Sequence, residues 1–232
     1  MIRKLVPIYA AGWRALVMLL AVEIAIVSTL RYVTGGDTPP PPVAANAFAN
    51  PFLVVHVVAS MIALLVGPLQ FVRRLRTRWP AFHRATGCLY LVACAIGAPA
   101  GFMLALGTTS GPLAASGFAT AALLWPLFTW LGWRAVLDRR FGDHREWMLR
   151  SWAMTAAAIT LRLMLPFSGV VLGLGFDTAY PVIAWLSWLT NLALVEIHIR
   201  RTRAPGAVAG EAIAVGLDKD HRPVRSPASC RL

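Results

Sequence analysis

The residues of this 232-residue chain best suited to chemistry are four of its five histidines, His56, His83, His144 and His198, and one isolated arginine, Arg162. Each lies within or at the edge of a long apolar run, where polar groups are costly and tend to face the inside of a helix bundle. If those runs are helical, residues three, four, seven or eleven apart share a face. Ser151, Thr155 and Arg162 follow His144 by 7, 11 and 18 residues. At about 100° per residue they fall within ~20° of one line. His56, Ser60, Ala63, Gly67 and Gln70 form a second stripe, within about 40°. His83, Gly87, Tyr90, Cys94 and Gly101 form a third, and Ser187, Asn191 and His198 a fourth.

Two chemistries suit these residues. His83, His144 and His198 gather at one membrane face with Arg84, Arg145 and Arg150 nearby. Histidines on facing helices are the usual ligands of a bundle-held haem, so haem b is one candidate cofactor. The rival reading is anion or lipid-headgroup contact, because helix N-termini and basic side chains both favour phosphate. No metal site is assigned. The second constellation is His56 with Arg162. Arg162 lies about 15 residues into a helix that starts inside, and His56 about four into one that starts outside, so their depths are similar. There Arg162 could hold an anionic or carbonyl-bearing ligand while His56 exchanges a proton, with Glu23 a candidate partner for the arginine. Helix packing is the competing explanation for the small members of the stripes, such as Gly97-x-x-x-Gly101.

The elements that must position these residues are membrane spans. The chain is 58% hydrophobic and only 14% charged, whereas soluble domains run near 45–50% apolar and about 25% charged. A span needs about 20 mostly apolar residues. Six stretches qualify: Trp13–Tyr32, Phe52–Val72, Arg84–Leu106, Leu113–Val136, Trp147–Pro166 and Pro181–Ile199. The expected fold is an all-α integral membrane protein with about six transmembrane helices. The second, third, fifth and sixth form the core bundle, with the first and fourth outside.

All of the 22 basic residues except Arg31 and Arg162 fall in the N-terminus, the two turns Arg73–Arg84 and Arg134–Arg150, and the segment from Arg200 on. By the positive-inside rule both termini are cytoplasmic, in a bacterial inner membrane. That clustering between apolar runs also argues against nucleic acid as the partner of the +12 net charge; the bilayer is the partner expected, with a homo-oligomer or a membrane partner subunit as further candidates. Residues 1–203 form the transmembrane domain. Residues 204–232, rich in Ala, Gly, Pro and charge, read as a disordered basic tail. The loop Thr34–Asn50, with Pro39–Pro42, reads as an irregular or polyproline-like cap. Phe167–Phe176 either extends the fifth helix or lies at the interface. Cys88, Cys94 and Cys230 show neither disulfide nor zinc spacing. The two basic turns also match each other: Arg73 precedes His83-Arg84 by ten residues, as Arg134 precedes His144-Arg145. This suggests a duplicated hairpin.

From His56 to Leu165 the chain resembles a family of predicted bacterial membrane proteins defined as domain of unknown function 2306. The resemblance rests on His56-x-x-x-Ser60, GPLQF at Gly67–Phe71, HRATGCLY at His83–Tyr90 and HREWMLRSWAMTAAAITLRL at His144–Leu163. It implies a polytopic membrane protein and no established reaction. The leading functional expectation is a redox module that engages haem or quinone through the histidine-bearing helices. The alternative is a small transporter or lipid-interacting protein with its polar site at His56 and Arg162. A non-catalytic partner subunit is a third reading.

Overall fold

The computed structural model describes residues 2–33 and 41–203. The expected disordered tail and the first part of the Thr34–Asn50 loop lie outside these residues. The long helices are α1 (Ile2–Tyr32), α2 (Ala49–Val66), α3 (Pro80–Leu106), α4 (Gly111–Leu137), α5 (Phe141–Thr155), α6 (Ala157–Val170) and α7 (Phe176–Arg203). There is no strand among the described residues. In a bilayer, helices satisfy every backbone donor and acceptor within themselves, which is why apolar runs of this length adopt them. Among the described residues five stretches are long and apolar enough to cross a membrane: Ala49–Phe71, Pro80–Leu106, Gly111–Leu137, Phe141–Val170 and Phe176–Arg203. The remaining expected span, Trp13–Tyr32, lies within α1, a helix of 31 residues. The molecule is an all-α membrane protein.

Its burial pattern is that of a bundle in lipid. Large apolar side chains such as Leu19, Val92, Leu123, Leu163 and Leu194 are exposed, while the interior is dominated by alanine, glycine and hydroxyl residues. Small residues let helix backbones approach where lipid removes the hydrophobic drive to associate. One buried cluster joins Ala63 of α2, Tyr90, Ala93, Cys94 and Ala98 of α3, Trp125 of α4, Met148 and Met154 of α5, and Trp188 of α7. The four helices expected in the core are therefore all there. α4 is there as well, which corrects its placement outside: Trp125, Thr129 and Gly132 are buried. Its inward face carries an indole and small residues rather than a polar stripe. α1 is peripheral, packing Ala21, Ile24 and Ala25 onto Val57, Met61 and Leu64 of α2 and Ile159 of α6.

The fifth span is two helices with a break at Ala156, where ψ falls to −12°. Asn191 of α7 spans the break. Its Nδ2 donates to the Ala153 carbonyl (3.3 Å), and its Oδ1 accepts from Thr160 Oγ1 (2.9 Å). Phe167–Phe176 divides: α6 continues through Pro166 to Val170, and the chain then turns at Gly173, whose φ of +65° suits glycine. Within the described part of the 34–50 loop, Pro41–Ala44 is a helical turn rather than a polyproline segment. Asn46 ties it down by donating to the Leu104 carbonyl at 2.7 Å. The chain divides into two units, Met1–Val195 and Glu196–Leu232, with the boundary inside α7.

Candidate functional site

The two hairpins α2–α3 and α4–α5 are linked by a buried hydrogen bond between α3 and α5. Tyr90 and Ser151 are 61 residues apart and hydrogen-bonded. His83 and His144 have the same separation and lie within electrostatic range of each other. So the inward faces of α3 and α5 meet at Tyr90 and Ser151.

At their meeting point is a buried hydroxyl cluster. Tyr90 Oη bonds Ser151 Oγ (2.9 Å) and Thr155 Oγ1 (2.8 Å), and Ser151 Oγ bonds Thr129 Oγ1 (2.6 Å). Thr129 in turn donates to the Trp125 carbonyl at 2.7 Å. Each hydroxyl is thereby satisfied, which a dry interior demands. The stripes of α3 and α5 do face inward, and Thr129 is the member sequence reasoning missed. Its only signal is a threonine in an otherwise apolar stretch of α4.

Further toward the end opposite the basic turns lies a cavity of about 280 Å³. Its volume sits near the lower end for ligand sites, about 300–1,000 Å³. His56, Ser60, Thr155, Arg162, Tyr180 and Ser187 supply its polar wall, and Trp125, Met154 and Trp188 are among its apolar neighbours. The loop residue Asn46 also lines it, a contribution no spacing in the sequence signals.

His56 is held in one orientation. Its Nδ1 lies 2.8 Å from the Gly97 carbonyl oxygen. Because a carbonyl only accepts, Nδ1 carries the hydrogen, and Nε2 of the neutral ring keeps its lone pair. Ser60 Oγ stands 3.4 Å from Nε2 and donates to it. Gly101 makes room for the ring: a Cβ there would sit 2.8 Å from His56 Cε1 and Nδ1. The Gly97-x-x-x-Gly101 pair thus does more than bring helices close, since one glycine accepts from His56 and the other accommodates it.

Arg162 shares the cavity wall. Its Nη1 donates to the Ala158 carbonyl (3.1 Å) and its Nη2 to Ser28 Oγ (2.8 Å). Both acceptors are neutral. His56, Tyr32, Tyr180 and Arg31 are titratable groups near it, and among the described residues no Asp or Glu lines the cavity. Glu23, the candidate partner, is exposed on α1. Ser28, little more than one turn further along α1, takes that place.

The other candidates lie elsewhere. His144 donates from Nδ1 to the Gly132 carbonyl at 2.7 Å, whereas Nδ1 of His83 is buried without a hydrogen bond. Arg76 and Arg84 lie near His83. Arg84 and Arg145 are exposed, as cations at a headgroup layer would be. Arg150 is held within the protein, 3.8 Å from Glu146 Oε2 and 4.5 Å above the Trp147 ring. His198 is exposed in the terminal unit. His56 is the one histidine in the cavity wall, so this cavity does not offer the paired histidines of a bundle-held haem. Among the described residues no group of three or more His, Cys, Asp or Glu could hold a metal ion.

The fold and cavity define a polytopic α-helical membrane protein with a polar site between its helices. Residues 53–199 match the family described as predicted membrane protein, DUF2306, and the chain belongs to it. No curated protein and no solved structure matches the chain.

Proposed function

We propose that this protein binds a small amphipathic anion from within the membrane, with Arg162 pairing its charged head and the tryptophan-lined wall taking its apolar body. A transporter or a lipid-interacting protein would use such a site. The observation that carries the reading is Arg162 itself, a cation in a cavity wall whose two hydrogen bonds go to neutral acceptors. A guanidinium has five donors in a fork that suits a carboxylate. An ionisable group held at membrane depth without a counter-charge marks a ligand pathway by default. An acceptor-rich head meets these donors, and a second cation does not.

The test is ligand-induced thermal stabilisation of the purified full chain in lipid nanodiscs, with hexanoate, hexanol and hexylamine as matched probes. Hexanoate is expected to raise Tm, hexanol much less, and Arg162→Ala to abolish the difference while the apo protein stays folded. Equal shifts from hexanoate and hexanol in the wild type would remove the basis for the proposal. For orientation, we infer that the basic turns Arg73–Arg84 and Arg134–Arg150 face the cytoplasm, in an inner membrane with both termini inside, because retained Lys and Arg set topology.

A further inference from the structure

His56 and Arg162 lie on one cavity wall, and the hydrogen bonding of His56 leaves a single atom free to take a proton. We propose that the cavity takes up its anion together with one proton, the anion pairing with Arg162 and the proton binding Nε2 of His56. This rests on the anion-site reading above and adds the ion that accompanies the ligand.

The argument begins with the tautomer. Nδ1–H is committed to the Gly97 carbonyl at 2.8 Å, so only Nε2 can be protonated. Its present neighbour is the Ser60 hydroxyl at 3.4 Å, which can turn from donor to acceptor when Nε2 gains a hydrogen. The groups around His56 are then decisive. Its own helix offers Ser60, α3 offers the Gly97 carbonyl and Gly101, and α4 offers the Trp125 side of the wall. From α6 comes Arg162, from α7 Tyr180, and Arg31 and Tyr32 of α1 interact electrostatically with Arg162. Asn46 covers the loop side. None of the described lining residues is a carboxylate.

In such a cavity a protonated His56 is a second cation beside Arg162, with no carboxylate among the described lining residues to offset either. At low effective dielectric that repulsion is several-fold larger than in water. An anion on Arg162 removes it and gives the imidazolium a counter-charge. Anion binding and proton binding therefore favour each other, and by linkage each raises the affinity of the other by the same factor. The balance is simple. A ligand arriving as the acid loses its O–H bond as Nε2–H forms, and one arriving as the anion is joined by a proton from the aqueous phase. Either way the occupied site differs from the empty one by a net charge of zero. A membrane-embedded carrier of weak acids needs that property, because moving net charge across the bilayer is expensive.

The experiment is titration calorimetry of the full chain in lipid nanodiscs with hexanesulfonate, run in two buffers of different protonation enthalpy. The sulfonate stays ionised throughout, so any proton counted belongs to the protein. About one proton taken up per bound anion is expected at the alkaline end, with affinity falling up to about tenfold per pH unit as pH rises. His56→Gln is expected to bind more weakly at acidic pH, with no uptake and a flat pH profile. Tight sulfonate binding by the wild type with no uptake and a pH-independent affinity overturns the inference and leaves the anion site standing. Failure of the wild type to bind either sulfonate or carboxylate overturns both.

Discussion

Replacing Gly101 with alanine tests the local geometry of the site most directly. The new Cβ would lie 2.8 Å from both Cε1 and Nδ1 of His56, with His56 Cγ next at 3.7 Å, and no other atoms rank among its three nearest. The ring must move, and Nδ1 cannot move without loosening its 2.8 Å bond to the Gly97 carbonyl. Overpacking of this kind costs about 1–3 kcal/mol, and the weakened hydrogen bond adds about 0.5–1.5 kcal/mol. Alanine returns about 1 kcal/mol of helix propensity. The net expectation is a loss of about 1–3 kcal/mol, combining these terms. In a His56→Ala background the obstacle is gone, so the same substitution should be neutral or stabilising by up to about 1 kcal/mol. The coupling between the two sites is therefore about 1–4 kcal/mol, beyond the additivity error of independent positions. Four proteins suffice: wild type, both single variants and the double, each unfolded by graded SDS in mixed micelles with Trp fluorescence as the signal. An equal cost of Gly101→Ala in both backgrounds would show that His56 does not occupy the space Gly101 leaves, and the tautomer argument would fail with it.

Two further outcomes follow from the same structure. Tyr90→Phe removes the hydroxyl that bonds Ser151 and Thr155, and should cost about 1–2 kcal/mol in the same unfolding assay. Combined with Ser151→Ala it should cost clearly less than the sum of the singles, since both act on one network; full additivity would speak against the cluster. A reporter active only in the cytoplasm, fused after Arg203, should be active, and a reporter active only outside should be silent; the reverse pattern would overturn the orientation inferred from the basic turns.

Much of the architecture is legible without coordinates because the bilayer imposes a length and a polarity on every crossing segment. The run of apolar residues between Pro80 and Leu106 has only one sensible state in lipid, and the five spans found differ from the expected limits chiefly by the polar turns at their ends. Helical periodicity alone also puts Ser151 with Thr155 and Tyr90 with Cys94 on single faces, and all four prove buried. Which faces meet is another matter. A stripe says that a helix has an inside, and it says nothing about the helix opposite. Thr129 joins Ser151, and α4 enters the core, only because the second hairpin packs its members together. Arg162 finds Ser28 and not Glu23 for a similar reason: α1 lies against α2 and α6 with its Ala21, Ile24 and Ala25 face inward, which turns Glu23 outward.

What the amino-acid sequence by itself determined, then, is the kind of elements and the polar faces they carry, and it placed His56 and Arg162 on two of those faces. These follow from hydropathy and a rise of about 1.5 Å per residue, which are properties of single helices. Only the tertiary structure decided that the two residues share one wall, that Gly97 fixes the tautomer of His56 and that Asn46 reaches the cavity from a loop. Those facts depend on distances between segments up to 100 residues or more apart in the chain, which packing sets and no local pattern encodes.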